Sequence, residues 1–182
     1  MRRAVYLDRD GVINSVAIRE GKPHPPSALD ELKILPGVKE ALNDLKAAGF
    51  LLIVVTNQPD VARGKTSLTI VNSINNYLKD KLPLDAIYTC FHDDADQCEC
   101  RKPKPGLLLA AREAFDIDLN SSYMVGDRWR DIEAGRRAGC KTFFVDHGYD
   151  EEKPKFSDYT TSSLRDASRL ILKKENVNVS GK

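Results

Sequence analysis

The sequence predicts a doubly wound, Rossmann-like α/β domain, with about five parallel strands and helices on both faces of the sheet. Three observations carry that expectation. Short apolar runs alternate with stretches of helical period, the runs are rich in Val, Ile, Phe and Tyr, and polar clusters stand directly behind four of them. The runs are Ala4 to Leu7, Phe50 to Thr56, Ala86 to Thr89, Ser122 to Val125 and Lys141 to Val145. Between them the periodicity predicts helices at Gly37 to Ala48, Ser67 to Leu82, Gly106 to Phe115 and Arg130 to Ala138. The first helix is entered through Pro36 and left through Gly49, which suits a helix start and stop. Strands alternating with helices pair in parallel through right-handed crossovers, both faces covered. Ligands of such sheets lie beyond the carboxyl ends of the strands, so the residues there are the candidates for chemistry.

At 182 residues, 41% of them hydrophobic, the chain is long enough to bury one core without covalent staples. A single domain is expected over residues 1–172, and residues 173–182, polar and without a periodic apolar face, are expected to fray. Lys and Arg number 28 against 27 Asp and Glu, a net charge of +1, which argues against partners held by bulk charge. The expected partner is a small molecule, with no nucleic acid and no membrane. The N-terminal segment reaches Asp8 before any apolar stretch of signal-peptide length, and no run approaches the roughly 20 apolar residues of a membrane span. A cytoplasmic protein is expected, in which clustered cysteines bind metal more often than they pair. A monomer is expected, since no amphipathic stripe is left over once the sheet is covered.

Asp8-Arg9-Asp10-Gly11 follows the first strand, and Gly126-Asp127, with Asp131 four residues on, follows another and opens a helix. An Asp alone in such a place is often a turn or cap residue. Carboxylates from two strand ends together make a hard-oxygen site of the kind Mg²⁺ prefers. Thr56-Asn57-Gln58 ends the most hydrophobic strand and offers a hydroxyl and amides to an anion. Arg9, Arg63, Lys65, Arg101, Lys102, Lys104 and Arg128 all fall in strand-end loops, a clustering that suits an anionic substrate. Cys90, His92, Cys98 and Cys100 stand within one short loop, and three thiolates with one imidazole make a closed tetrahedral Zn²⁺ set. Arg101-Lys102-Pro103-Lys104-Pro105-Gly106 follows at once, where prolines and a metal clip would aim the cations. Cys140 is expected to be a small core residue. His24 and His147 receive no role.

These motifs resemble, in order, those of the haloacid dehalogenase superfamily of phosphotransferases: Asp8-Arg9-Asp10-Gly11, Thr56, Lys102, and Gly126-Asp127 with Asp131. The resemblance extends to about Asp146. The zinc loop and Arg101-Lys102-Pro103 are similar to the branch that holds heptose bisphosphate phosphatases and histidinol phosphatases, which has little or no cap domain. Asn14, Ala62-Arg63-Gly64 and Lys104-Pro105-Gly106 resemble the heptose members. The short Asp93 to Gln97 insertion resembles the histidinol members, and Pro59-Asp60 replaces small residues usual in the heptose enzymes.

The resemblance implies a phosphatase working through an aspartyl-phosphate, on a phosphorylated small molecule such as a sugar bisphosphate or histidinol phosphate. Asp8 is then the nucleophile and Asp10 the acid and base, while Thr56 and Lys102 neutralise the phosphoryl oxygens. Mg²⁺ is expected on Asp8, Asp127 and the backbone carbonyl of Asp10, with Asp131 behind them. Arg101 and Arg128, backed by Asn57 and Arg63, are the expected substrate contacts. A silent module that only binds a phosphorylated ligand would not need both Asp8 and Asp10.

Overall fold

Strand β1 (Ala4–Leu7) is buried along its whole length because its alternate residues feed two cores. Val5 and Leu7 pack under one layer of helices, Ala4 and Tyr6 under the other. The structure, a computed structural model, describes residues 1–179. Around β1 are β4 (Leu51–Asn57), β5 (Ala86–Cys90), β6 (Tyr123–Gly126), β7 (Lys141–Val145) and β8 (Tyr159–Thr161), and β2 (Ala17–Arg19) and β3 (Lys22–His24) form a separate hairpin. The sheet runs β5-β4-β1-β6-β7-β8, every neighbouring pair parallel. The chain lays β4 and β5 on one side of β1 and returns to lay β6, β7 and β8 on the other. The topological switch therefore falls at β1, where this class of sheet binds ligands.

Helices α1 (Val38–Ala47), α2 (Leu68–Lys81) and α5 (Leu164–Val179) cover the face of Val5 and Leu7. Helices α3 (Gly106–Phe115) and α4 (Trp129–Ala138) cover the other face, and Cys140 is buried in that second core. The predicted strands and helices agree with these elements to within one or two residues, the usual scatter of element ends.

Three features depart from the sequence reading. A sixth strand, β8, adds to the edge; at three residues, the middle one exposed, it is too short to show a period. The β2–β3 hairpin, Ala17 to His24, is not among the expected strands; its residues are mostly exposed, with no apolar alternation to betray it. The segment expected to fray from Lys173 is helical as far as Val179, while residues 180–182 lie outside the described residues. Polar ties hold this last stretch of helix: Glu175 accepts a hydrogen bond from Tyr123 Oη at 2.6 Å and pairs with Arg3. No helix among the described residues is long and apolar enough to cross a membrane.

Candidate active site

Leu7 is in register with both Val54 and Val125, so Asp8, Thr56 and Asp127, each one or two residues further on, come to one edge of the sheet. Lys102 arrives from the loop between β5 and α3, and Asp131 from the first turn of α4. The Lys102 ammonium is fully enclosed. Its Nζ donates to Asp8 Oδ1 and to the Val55 carbonyl, each at 2.7 Å, and lies 2.5 Å from Asp131 Oδ1. Burial alone would weaken its hold on the proton, but Asp131 and Asp8 outweigh burial and raise its pKa above the ordinary lysine value. The backbone of Lys102 is clamped too. Asn57 accepts its N–H at Oδ1 and donates from Nδ2 to its carbonyl, both at 3.1 Å. Asn57, expected to touch substrate, is thus engaged in fixing Lys102.

Burial pushes the Asp8 carboxyl up to about 7; Lys102 opposes the rise and Asp131 and Asp10 add to it. Asp127 is also raised well above the ordinary carboxylate range, by burial and then by Asp8 and Asp131, with the Tyr149 hydroxyl and Lys102 opposing the rise. Both Asp127 carboxylate oxygens are buried without a hydrogen-bond partner among the described residues. One oxygen from each of Asp8, Asp127 and Asp131 lies within 4.8 Å of the others. Carboxylates so crowded and so poorly hydrated call for a cation, and an all-oxygen set fits a hard divalent ion such as Mg²⁺. Asp131 is already engaged through both oxygens, Oδ1 by Lys102 and Oδ2 by the Arg128 N–H at 3.0 Å. That leaves both Asp127 oxygens open to such an ion, and on Asp8 one oxygen that Lys102 does not hold. Gly11, with φ +87°, makes the approach possible, since a Cβ there would stand 1.9 Å from Asp127 Oδ2.

Asp10 does not belong to that group; its side chain turns to a fan of donors. Arg9 donates to it at 3.0 to 3.2 Å, Asn14 Nδ2 at 2.9 Å and Gln58 Nε2 at 2.7 Å. Gln58 Nε2 also donates to Thr56 Oγ1 at 2.9 Å, so the Thr56 hydroxyl keeps its own proton to give elsewhere. Arg9 is 1% exposed and donates to Asn75 of α2 at 2.9 Å. The sequence marks Arg9 within the first motif and as one cation among several, reads Gln58 as an amide open to an anion, and gives Asn75 no role. A buried arginine and a surface one look alike in sequence. His147 Nε2 lies 2.7 Å from the Gly11 carbonyl and steadies that turn.

Above these groups opens a cleft of about 350 Å³, with Lys22 and His24 of the hairpin along its wall. The arginines expected to grip substrate line it already paired. Arg63 lays Nε and Nη2 on Asp93 at 2.7 and 2.5 Å, and Arg128 forks onto Glu151 at 2.8 and 2.6 Å. Arg101 donates from Nε to Asp94 at 2.8 Å and from Nη1 to the His92 carbonyl at 3.3 Å. Arg63 in turn holds the Asp93 carboxyl down at about 2. The strand-end cations therefore do not form a bare positive ring, because the Asp93 to Gln97 insertion and the loop after β7 bring carboxylates to meet them.

Beside the cleft, the sulfurs of Cys90, Cys98 and Cys100 lie 3.1 to 3.7 Å apart, and His92 Nδ1 is 3.3 Å from Cys100 and 3.7 Å from Cys90. A tetrahedral zinc with Zn–S bonds of about 2.3 Å requires S···S edges of roughly 3.8 Å, so the four groups fit that ion closely.

An ammonium-clamped carboxylate at the switch point of a parallel sheet, beside a cation-seeking carboxylate pair, defines a hydrolase built for phosphoryl groups. A family model for haloacid dehalogenase-like hydrolases matches residues 25–139. The chain belongs to that family and, within it, to the phosphatases. It is 40% identical to the D-glycero-β-D-manno-heptose-1,7-bisphosphate 7-phosphatase of Pasteurella multocida, over 94% of this chain and 97% of that protein. It is 36% identical to the protein of the same name from Escherichia coli K12, over 94% and 95%. The D,D-heptose 1,7-bisphosphate phosphatase of B. bronchiseptica, solved with magnesium and phosphate, superposes with a TM-score of 0.78 at 28% identity, over 94% of this chain and 99% of that one.

Proposed function

We propose that the chain removes the C7 phosphate of D-glycero-β-D-manno-heptose 1,7-bisphosphate through a phosphorylated Asp8. The buried Lys102–Asp8 pair beside the unpartnered Asp127 carboxylate carries the reaction class, and the relatives' names supply the substrate. Asp8, Asp127 and the Asp10 carbonyl, with Asp131 behind them, would hold Mg²⁺, which would supply charge neutralisation at the phosphoryl oxygens.

The Asp8 oxygen that Lys102 does not hold attacks phosphorus as the ester P–O bond breaks. Asp10, protonated, gives its proton to the leaving alkoxide. As a carboxylate it then takes one from the water that attacks phosphorus, which breaks the bond to Asp8 and frees inorganic phosphate. Thr56 donates to the phosphoryl oxygens, and the Lys102 ammonium, held by Asp8, Asp131 and the Val55 carbonyl, neutralises their charge from behind Asp8, where charge stabilisation supplies most of the catalysis. Zn²⁺ on Cys90, His92, Cys98 and Cys100 would have all four positions filled by protein, which makes it a structural ion. Arg63, Arg101 and Arg128 would meet the rest of the substrate by exchanging their present carboxylate partners.

We further propose a cytoplasmic monomer that needs no macromolecular partner. ³¹P NMR of a digest of the bisphosphate with Mg²⁺ tests the reading. The C7 phosphate resonance should give way to inorganic phosphate while the anomeric phosphate persists; loss of the anomeric signal first, or of neither, would sink it.

A further inference from the structure

We infer that Arg130, positioned by Asp94 and Trp129, recognises the second phosphate of the substrate; the inference rests on the bisphosphate reading above. Arg130 lies in the first turn of α4, directly before Asp131, and lines the same cleft as Asp8 and Lys102. The other guanidiniums at the cleft have most of their donors committed. Arg63 and Arg128 each place two nitrogens on a carboxylate, and Arg101, its side chain only 10% exposed, holds Asp94 and a backbone carbonyl.

Arg130 differs in being fixed without being saturated. Its Nη1 donates to Asp94 Oδ1 at 3.1 Å, and its guanidinium carbon lies 5.1 Å from the centre of the Trp129 ring. Its Nε and Nη2 have no hydrogen-bond partner among the described residues, and the side chain is 31% exposed toward solvent. An indole on one side and a single carboxylate oxygen on the other set the plane of the fork while leaving two donors free, an arrangement a dianionic phosphate can take bidentately. The same Asp94 oxygen holds Arg101 at 2.8 Å. Asp94 thus ties the loop of the cysteine cluster to the start of α4, and that loop sets the direction of Arg130.

Steady-state kinetics on the metal-loaded enzyme test this with two substrates, the 1,7-bisphosphate and the heptose 7-phosphate that lacks the anomeric group. Arg130→Ala should raise KM for the bisphosphate about tenfold or more with kcat within about twofold, and alter KM for the 7-phosphate by less than about twofold. Arg130→Lys should recover part of the loss, since charge remains and the fork is gone. Asp94→Asn should raise KM for the bisphosphate severalfold alone and clearly less in the Arg130→Ala background, where only its hold on Arg101 remains to be lost. An unmoved KM, or equal changes on both substrates, would overturn the recognition role. A lowered KM or an additive effect in Asp94→Asn would overturn the positioning role. A wild-type enzyme that does not prefer the bisphosphate to the 7-phosphate would overturn the substrate reading itself, and the role of Arg130 with it.

Discussion

Asp8 has one oxygen on Lys102 and the other free, and that asymmetry is what a nucleophile at this place requires. Asp8→Asn keeps the shape and the contact with Lys102 but removes the anionic oxygen. Phosphate release should fall about 10⁴-fold or more, ~5 kcal/mol of transition-state stabilisation, with the thermal midpoint in Mg²⁺-free buffer not lowered. Residual activity within tenfold of wild type would refute the assignment. Asp8, Asp10, Thr56, Asp127 and Asp131 stood out in the sequence because they lie at or just beyond strand ends or open a helix, and Lys102 because it follows the cysteine cluster in a basic run stiffened by prolines. Their supports did not. Arg9, Gln58 and Asn75 act through side-chain contacts between separate elements, and Asn57 turns to Lys102 across 45 positions of sequence. Nothing in local pattern reports such contacts.

Among the elements, the loop from Cys90 to Lys102 does the most to connect scaffold and site. It carries the cysteine cluster, then Asp93 and Asp94, which hold Arg63, Arg101 and Arg130, and it ends on the Lys102 that holds Asp8. Cys98→Ser should cut bound zinc, measured by elemental analysis, from about one ion per chain to near none, and lower kcat/KM roughly tenfold or more. Full activity with the zinc gone would show that the loop keeps its shape unaided. The cluster of three cysteines and one histidine was readable because it is dense in sequence, whereas the pairing of the loop's acids with the cleft arginines was not. In sequence, basic residues near the strand ends look like a waiting anion site; in three dimensions neighbouring carboxylates already occupy most of them. Helix α5 makes the same point. Its register of Leu164, Ala167 and Ile171 is apolar, but its end is fastened by Glu175 to Tyr123 and Arg3, far away in sequence.

At the scale of the whole molecule, the order β5-β4-β1-β6-β7-β8 explains why residues from positions 8 to 131 share one cleft. All the strands run the same way, so every strand end that carries chemistry reaches the same edge, and the switch at β1 leaves a crevice there. The alternation of strand and helix made that much legible in advance. The edge strand β8 and the β2–β3 hairpin escaped because strands of three residues carry no period. The fold is shared by enzymes of many specificities, so the substrate has to be settled at the site. Steady-state phosphate release with Mg²⁺ should therefore compare D-glycero-β-D-manno-heptose 1,7-bisphosphate directly with histidinol phosphate. The account predicts a kcat/KM about a hundredfold higher for the bisphosphate, ~2.7 kcal/mol of discrimination. Equal rates, or a preference for histidinol phosphate, would contradict it.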